Sequence, residues 1–223
     1  MKKAMTFAIT ILFFANIAAA IQWVSFDRGF FESFYRSNET AQSLGMSLED
    51  LMIATDHLLD YLAGDQTDLD VIVMIDQQPT MMYNQREIDH MIDVLDLFNL
   101  MVLIRNIGYG LFLLIMVVCY IKDSQKFKTS LFHASMRSLM YIGITVGVVI
   151  LLAIVDFNWF WTVFHEILFD NDLWLLDPRT DRLVVMVPLA FFQRMIATIL
   201  FAWSMSVLLW LLIAKVVTKR SLA

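Results

Sequence analysis

Cysteine is nearly absent from this 223-residue chain. The single one, Cys119, excludes an intrachain disulfide framework and any cysteine-built zinc site. Charge is scarce as well: Asp, Glu, Lys and Arg make up 17% of the residues, against about 25% in soluble domains. Basic residues are the minority of that charge, 16 against 22 acidic ones. No basic face is left for a phosphate backbone, and nucleic-acid binding is excluded. No Gly-x-Ser-x-Gly elbow is present, so a serine-hydrolase reading has no anchor. What the chain does have is apolar surface, 59% by residue, which rules out a water-soluble globule and a disordered chain alike.

An uncharged apolar run of about 20 residues lets a helix cross a bilayer. Four such runs occur, at 4–24, 106–121 with an apolar lead-in over 97–104, 138–155 and 195–214. They predict an all-α membrane protein with four transmembrane helices at 1–24, 99–121, 138–155 and 189–214. Lys2, Lys3 and Ala18-Ala19-Ala20 also resemble the two ends of a signal peptide. The run between them is long enough to span, and an uncleaved first helix is expected.

Lysine and arginine in short loops mark the cytoplasmic side. They collect in the 122–137 loop (Lys122, Lys126, Lys128, Arg137), in the 215–223 tail (Lys215, Lys219, Arg220) and at Lys2 and Lys3. The expectation is a multi-pass plasma-membrane protein with both termini cytoplasmic. Segments 25–98 and 156–188 then lie outside. Residues 25–99 carry 15 acidic and only 3 basic side chains, a count compatible with translocation.

The 25–98 segment is too long for a simple connection and reads as a small, mostly helical cap. Ser47-Leu48-Glu49-Asp50 signals a helix start, Leu51, Ala54, Leu58 and Leu62 form an apolar stripe, and Gly64-Asp65 ends it. Residues 69–75 are branched and partly alternating, as in a strand. Pro79 is expected to break the chain, and a new helix to run from Asn84 into the second span. In 156–188, Phe157, Phe160, Phe164 and Leu168 share a helical face. On composition alone this aromatic run fits an interfacial belt. Asp177-Pro178-Arg179 is a turn, and Pro188 suits the start of the fourth span.

Few residues are equipped for chemistry. Cys119 has no basic neighbour in its span and reads as a packing or lipid-facing thiol. His133 reads as a surface residue, and His57 as a solvated partner of Asp56 and Asp60. His90 and His165 stand apart. His90 lies one turn from both Glu87 and Asp93, either of which could orient an imidazole. His165 shares a face with Trp161 and Leu168. Each sits roughly ten residues from a span, at similar height above the outer leaflet at about 1.5 Å per residue. Two histidines with acids could also hold zinc, but no His-Glu-x-x-His spacing occurs, and no metal is expected. Arg105 falls just inside the outer half of the second span, where a cation needs a partner. Two readings stand for it: a functional charge, or a structural one paired with Asp156 or a cap carboxylate or snorkelling to headgroups.

Two stretches resemble the lipoprotein intramolecular transacylase family of Gram-positive bacteria. One is Arg86-Glu87-Ile88-Asp89-His90-Met91-Ile92-Asp93-Val94 with Leu97-Phe98. The other, the more specific, runs from Phe164-His165 through Phe169-Asp170-Asn171-Asp172-Leu173-Trp174, Asp177-Pro178 and Asp181 to Pro188 and Phe191-Phe192. Four spans under an outer cap are similar too.

The resemblance implies that His90 and His165 are the catalytic pair. It implies that an acyl chain moves from the sn-2 ester of a diacylglyceryl-modified N-terminal cysteine to that cysteine's own α-amino group. The substrate then brings both nucleophile and ester, and the enzyme has to supply a base and an acid, a task suited to two imidazoles. Trp159, Trp161, Phe164, Phe169 and Trp174 are the expected wall for acyl chains, and Asn171, Arg105 or a backbone N–H the expected oxyanion partner. The expected partners are a diacylated lipoprotein and membrane lipid, with no cofactor. A non-catalytic assembly factor docking through its acidic cap, and a lipid hydrolase using the same histidines with water, are the competing readings.

Overall fold

The computed structural model describes residues 1–221; positions 222 and 223, the end of the expected 215–223 tail, lie outside the described residues. Eleven elements follow in the order α1 (Lys2–Ser25), α2 (Arg28–Asn38), α3 (Thr40–Ser43), α4 (Leu48–Ala63), β1 (Ile72–Ile75), β2 (Gln78–Met81), α5 (Gln85–Lys122), α6 (Ser124–Val155), α7 (Phe157–Leu168), α8 (Leu183–Met186) and α9 (Leu189–Arg220). Of these, α1, α5, α6 and α9 are long and apolar enough to cross a membrane. The chain is an all-α membrane protein with four membrane helices and one two-stranded hairpin.

Two units divide the chain. The first takes residues 1–22, 101–160 and those from 197 onward. A helix pairs its backbone groups within itself, as hydrocarbon requires, and these helices turn large apolar side chains outward: Ile104, Leu113, Ile144, Leu151, Phe201 and Leu209 are all exposed. Small and polar residues do the joining. The Trp203 indole donates to the Phe13 carbonyl at 2.9 Å, Trp210 to Ser135 Oγ at 2.9 Å, and Ser138 Oγ to the Thr6 carbonyl at 2.8 Å. Tyr109 donates to Asn16, which donates to Ser206. At Gly108 a Cβ would already touch Ala15 and Ile11 at 3.4 Å, so the missing side chain lets α5 approach α1 closely. Thr218 Oγ1 donates to the Lys128 carbonyl and Gln125 to the Ser221 carbonyl, which brings the end of α9 to the start of α6.

The second unit takes 23–100 and 161–196. Its α2, not foreseen from sequence, starts at Asp27, whose carboxylate accepts the Gly29 and Phe30 N–H groups. It buries Phe30, Phe31 and Phe34 around Phe191, with centroids 4.8–5.3 Å apart. The α4 helix begins and ends as its sequence signals require: Ser47 caps Asp50 N–H at 3.0 Å, and Gly64 closes it at φ 84°. The expected partners of His57 are taken elsewhere, because Arg28 bridges Asp56 and Asp60 at 2.6 Å each while His57 Nε2 lies 3.1 Å from the Asp68 carbonyl.

Pro79 does not break the chain; it sits inside β2, opposite Met74. The turn residues Asp76 and Gln77 both have positive φ, 49° and 63°, the backbone of a tight two-residue hairpin. Proline is tolerated because a two-stranded sheet consists of edges. The helix expected from Asn84 starts with a reciprocal cap. Asn84 Oδ1 accepts Glu87 N–H at 3.1 Å, and Glu87 Oε2 accepts Asn84 N–H at 2.7 Å. At 38 residues, α5 is about 57 Å long, well beyond a hydrocarbon core of about 30 Å. Its first turns carry Arg86, Glu87, Asp89, Asp93 and Asp96 and belong outside the hydrocarbon.

Candidate active site

The second unit brings His90 and His165 together. His90 sits in the second turn of α5 and His165 in the last turn of α7, each more than nine-tenths buried. Their ring centroids are 6.2 Å apart with planes inclined by 37°. That gap is too wide for a direct hydrogen bond between ring nitrogens. It is wide enough for a substrate atom between the rings.

Aromatic rings close the pair in. Trp174 stacks on His165 at 4.9 Å, Trp161 meets it edge-on at 4.7 Å, and Phe164 lies at 5.4 Å. Phe169 touches both histidines, at 5.3 Å from His90 and 5.7 Å from His165. Phe192 in turn packs on Trp161 at 4.3 Å. The chain that carries these rings is short-range in origin: α7 stops at Leu168, and Phe169 N–H donates back to the His165 carbonyl.

This enclosure sets the protonation states. Burial pushes His90 down to about 4 from an ordinary 6.5, and the neighbouring His165 adds to the effect. Burial also lowers His165, opposed by its bond to the Trp161 carbonyl. Both rings are therefore neutral at pH 7. His165 Nδ1 lies 2.8 Å from that carbonyl oxygen. A carbonyl only accepts, so Nδ1 carries the proton and Nε2 presents a lone pair. His90 Nδ1 is buried with no hydrogen-bond partner among the described residues. An unpaired buried polar atom costs about 1–3 kcal/mol, a penalty that a bound ligand atom would remove.

The carboxylates expected to orient His90 are occupied elsewhere. Glu87 is fully buried, accepting Asn84 N–H through one oxygen and Leu183 N–H at 2.5 Å through the other. Burial nevertheless holds its carboxyl above the usual range. Asp93 accepts from Asn171 Nδ2 at 2.8 Å. Asn171, expected as an oxyanion partner, is engaged at both ends, since its oxygen accepts Leu173 N–H at 3.0 Å.

Trp159 and Arg105 belong to the first unit. Trp159 is exposed, and its backbone N–H is capped by Asp156. Arg105 donates to the Gln22 side-chain oxygen and to Asn106 Oδ1. Among the described residues no carboxylate forms an ion pair with it. The ion pair with Asp156 or a cap carboxylate is thus replaced by two neutral amide oxygens close by on α1 and α5.

An open cavity of about 470 Å³ runs beside the pair, walled by Thr162 and Glu166 of α7, residues 169–172, Trp174 and Leu175. Neither histidine lines it, but Phe169 and Trp174 belong to both its wall and the aromatic enclosure. Sequence reasoning missed Arg86, which donates to the Asp172 carbonyl, and Asp93 as the partner of Asn171. The Asn84-x-x-Glu87 spacing could have revealed the cap of α5.

The sequence profile of the family described as lipoprotein intramolecular transacylase Lit matches residues 6–192. The membrane-integral lipoprotein intramolecular transacylase Lit from Bacillus cereus superimposes with a TM-score of 0.79 at 19% identity, over 99% of this chain and 97% of that one. Two single-site variants of that protein, a histidine replaced by alanine and by arginine, give 0.77 at 19% identity over 99% of this chain and 94% and 93% of theirs. At that identity the likeness shows a shared fold. No curated protein sequence matches.

Proposed function

We propose a reaction for this chain, which belongs to the lipoprotein intramolecular transacylase family: an acyl chain passes from the sn-2 ester of a diacylglyceryl-modified N-terminal cysteine to the α-amino group of the same cysteine. The product is a lyso-form lipoprotein, N-acylated and with one chain left on glycerol. The observation that carries the reading is the His90–His165 pair, 6.2 Å apart in an aromatic enclosure. One ring offers a fixed lone pair, and the other an unpartnered nitrogen.

The amine nitrogen attacks the ester carbonyl, the C–N bond forms, and the C–O bond to glycerol breaks. The nitrogen's proton ends on the glyceryl oxygen, so nothing else is consumed. Both imidazoles start neutral, so the acid must be made within the cycle. His165 Nε2 takes the amine proton and, as imidazolium, returns it to the departing oxygen. His90, in its Nδ1–H tautomer, donates to the carbonyl oxygen as charge builds there, which a neutral imidazole can do. Trp161, Phe164, Phe169 and Trp174 exclude water and hold ester and amine in contact, the entropic part of the barrier. Arg105 and Trp159 are assigned to the lipid contacts of the first unit.

The active site faces outward in this reading, with both termini cytoplasmic. The adjacency of Thr6 to Ser138 and of Thr218 to Lys128 supports it, since the basic segments then share one end of the first unit. Asp65→Cys in a Cys119→Ala background should label with an impermeant thiol reagent on intact cells; labelling only after lysis reverses the orientation. The reaction itself is tested by coexpression with a diacylated lipoprotein and mass spectrometry of its N-terminus. One N-linked and one O-linked chain supports it. Released fatty acid makes the protein a hydrolase, and an unchanged lipoprotein makes it a scaffold.

A further inference from the structure

The segment that roofs the two histidines, residues 169–174, is fastened to α5 at two points, one on each side of His90. Arg86, four residues before His90, donates to the Asp172 backbone carbonyl. Asp93, three residues after it, accepts from the Asn171 amide at 2.8 Å. Positions four before and three after lie on the same helix face as His90. Between and beside these points the segment carries Phe169, in contact with both imidazoles, and Trp174, stacked on His165. Leu173 N–H bonds back to Asn171 Oδ1, which ties the chain leading to Trp174 to the same asparagine.

We propose that Asp93 and Asn171, together with Arg86 and the Asp172 carbonyl, are positioning residues: a two-point clip that holds segment 169–174 against α5 and thereby fixes the spacing and dryness of the histidine pair. The proposal rests on the transacylation reading above. Asn171 acts through Phe169 and Trp174, not on the ester. All four residues bond through exposed or half-buried atoms, while Phe169 is buried and Trp174 half-buried. The clip costs little burial and can be broken without emptying the core. A charge-assisted hydrogen bond of this kind is stronger than a neutral one, and a site that drifts by about 1 Å loses on the order of 10² in rate.

The polarity of the Asp93–Asn171 contact makes it testable. Asn171→Asp sets two carboxylates face to face and opens the clip. Asp93→Asn combined with Asn171→Asp exchanges donor and acceptor and closes it again, and the Leu173 N–H keeps an oxygen acceptor in either case. Two readouts are taken on the full-length protein in detergent. The first is turnover of a diacylated lipopeptide to its N-acylated form. Asn171→Asp should lower kcat on the order of 10²-fold with little change in KM, and the double exchange should recover most of it. The second is carbethoxylation of His90 and His165 by diethyl pyrocarbonate, mapped by peptide mass spectrometry. Both should be protected in the native chain, reactive in Asn171→Asp and protected again in the double exchange. Full kcat and full protection in Asn171→Asp would overturn the clip, as would a double exchange no better than the single variant. A native chain that makes no N-acylated product would instead overturn the reaction, and the modification pattern would still decide the clip.

Discussion

His165 Nδ1 donates a 2.8 Å hydrogen bond to the carbonyl of Trp161, one turn earlier in α7. The residue whose ring packs edge-on against the imidazole therefore also selects its tautomer. That single bond leaves Nε2 as the basic atom, and because the acceptor is main chain, no side-chain replacement at Trp161 removes it. In the proposed mechanism it lets a histidine in an apolar enclosure act as base without a carboxylate behind it. The orienting group is the helix itself.

Exposure of His165 to water should be visible as a change in its ionisation. Burial holds its pKa below the ordinary 6.5, and Trp174 supplies one face of that burial. Trp174→Ala relieves the desolvation, so the pKa rises. The proposed proton transfer needs neutral Nε2, so kcat should fall as pH drops through this pKa. The acid limb of the kcat–pH profile should therefore move to higher pH in the variant. Nitrogen-15 NMR of the His165 ring would follow the same titration directly, and should show the Nδ1–H form at neutral pH in the native chain. An unmoved or lowered limb would contradict the role of Trp174.

Glu87 should be a stability residue, separable from catalysis. Its two oxygens accept two backbone N–H groups, Asn84 and Leu183, in a fully buried place. Glu87→Gln keeps the shape but turns one acceptor into a donor, which strands one N–H. The loss should be about 1–3 kcal/mol of folding stability. Denaturation in detergent measures it, and an unchanged midpoint would refute the assignment.

Elements fixed by local pattern were legible from the residues alone; those fixed by distant partners were not. The four membrane helices follow from uncharged runs, and α4 from Ser47 and Gly64, because each signal lies within a few residues of what it governs. The hairpin was hidden because Asp76-Gln77 adopts positive φ without glycine or asparagine, and because Pro79 reads as a breaker unless the strand is known to be an edge. His90 and His165 were picked out by their similar heights beside the spans, and their 6.2 Å separation is a matter of tertiary packing. The bond from Asn171, an expected substrate contact, to Asp93 was not foreseen. No periodicity links residues 78 positions apart.

The buried His90 should make the fold sensitive to mild acid. Its pKa is about 4 in the folded chain against 6.5 ordinarily. The unfolded chain then binds more protons between these values. The stabilising contribution of neutral His90 is complete above pH 6.5 and is lost as pH falls toward about 4. His90→Phe removes the titration and keeps an apolar ring against Phe169. Its stability should decline less steeply than the native protein's across that window, with other acid-sensitive groups cancelling in the comparison. Parallel curves would mean that His90 is not held neutral by the fold.

The sharpest expectation concerns the two imidazoles as one unit. If His165 shuttles the proton while His90 carries the developing negative charge, both act on the same tetrahedral centre, and neither is useful without the other. Losing acid–base assistance costs about 10²–10⁴-fold, and losing one oxyanion donor about 10²–10³-fold. His90→Ala and His165→Ala should each fall by amounts in those ranges. Groups that act as a unit are not additive, so the double variant should be scarcely slower than the worse single one. The controls are residues that the mechanism leaves out. His57→Ala touches a contact with the Asp68 carbonyl, and Cys119→Ala removes a thiol packed within the first unit; both should turn over near the native rate. Rates are to be taken on protein shown to be folded, because each histidine also fills space against Phe169. A folded His165→Ala protein at native rate would end the proton-shuttle assignment. A double variant whose loss equals the product of the two single losses would mean that the histidines serve separate steps.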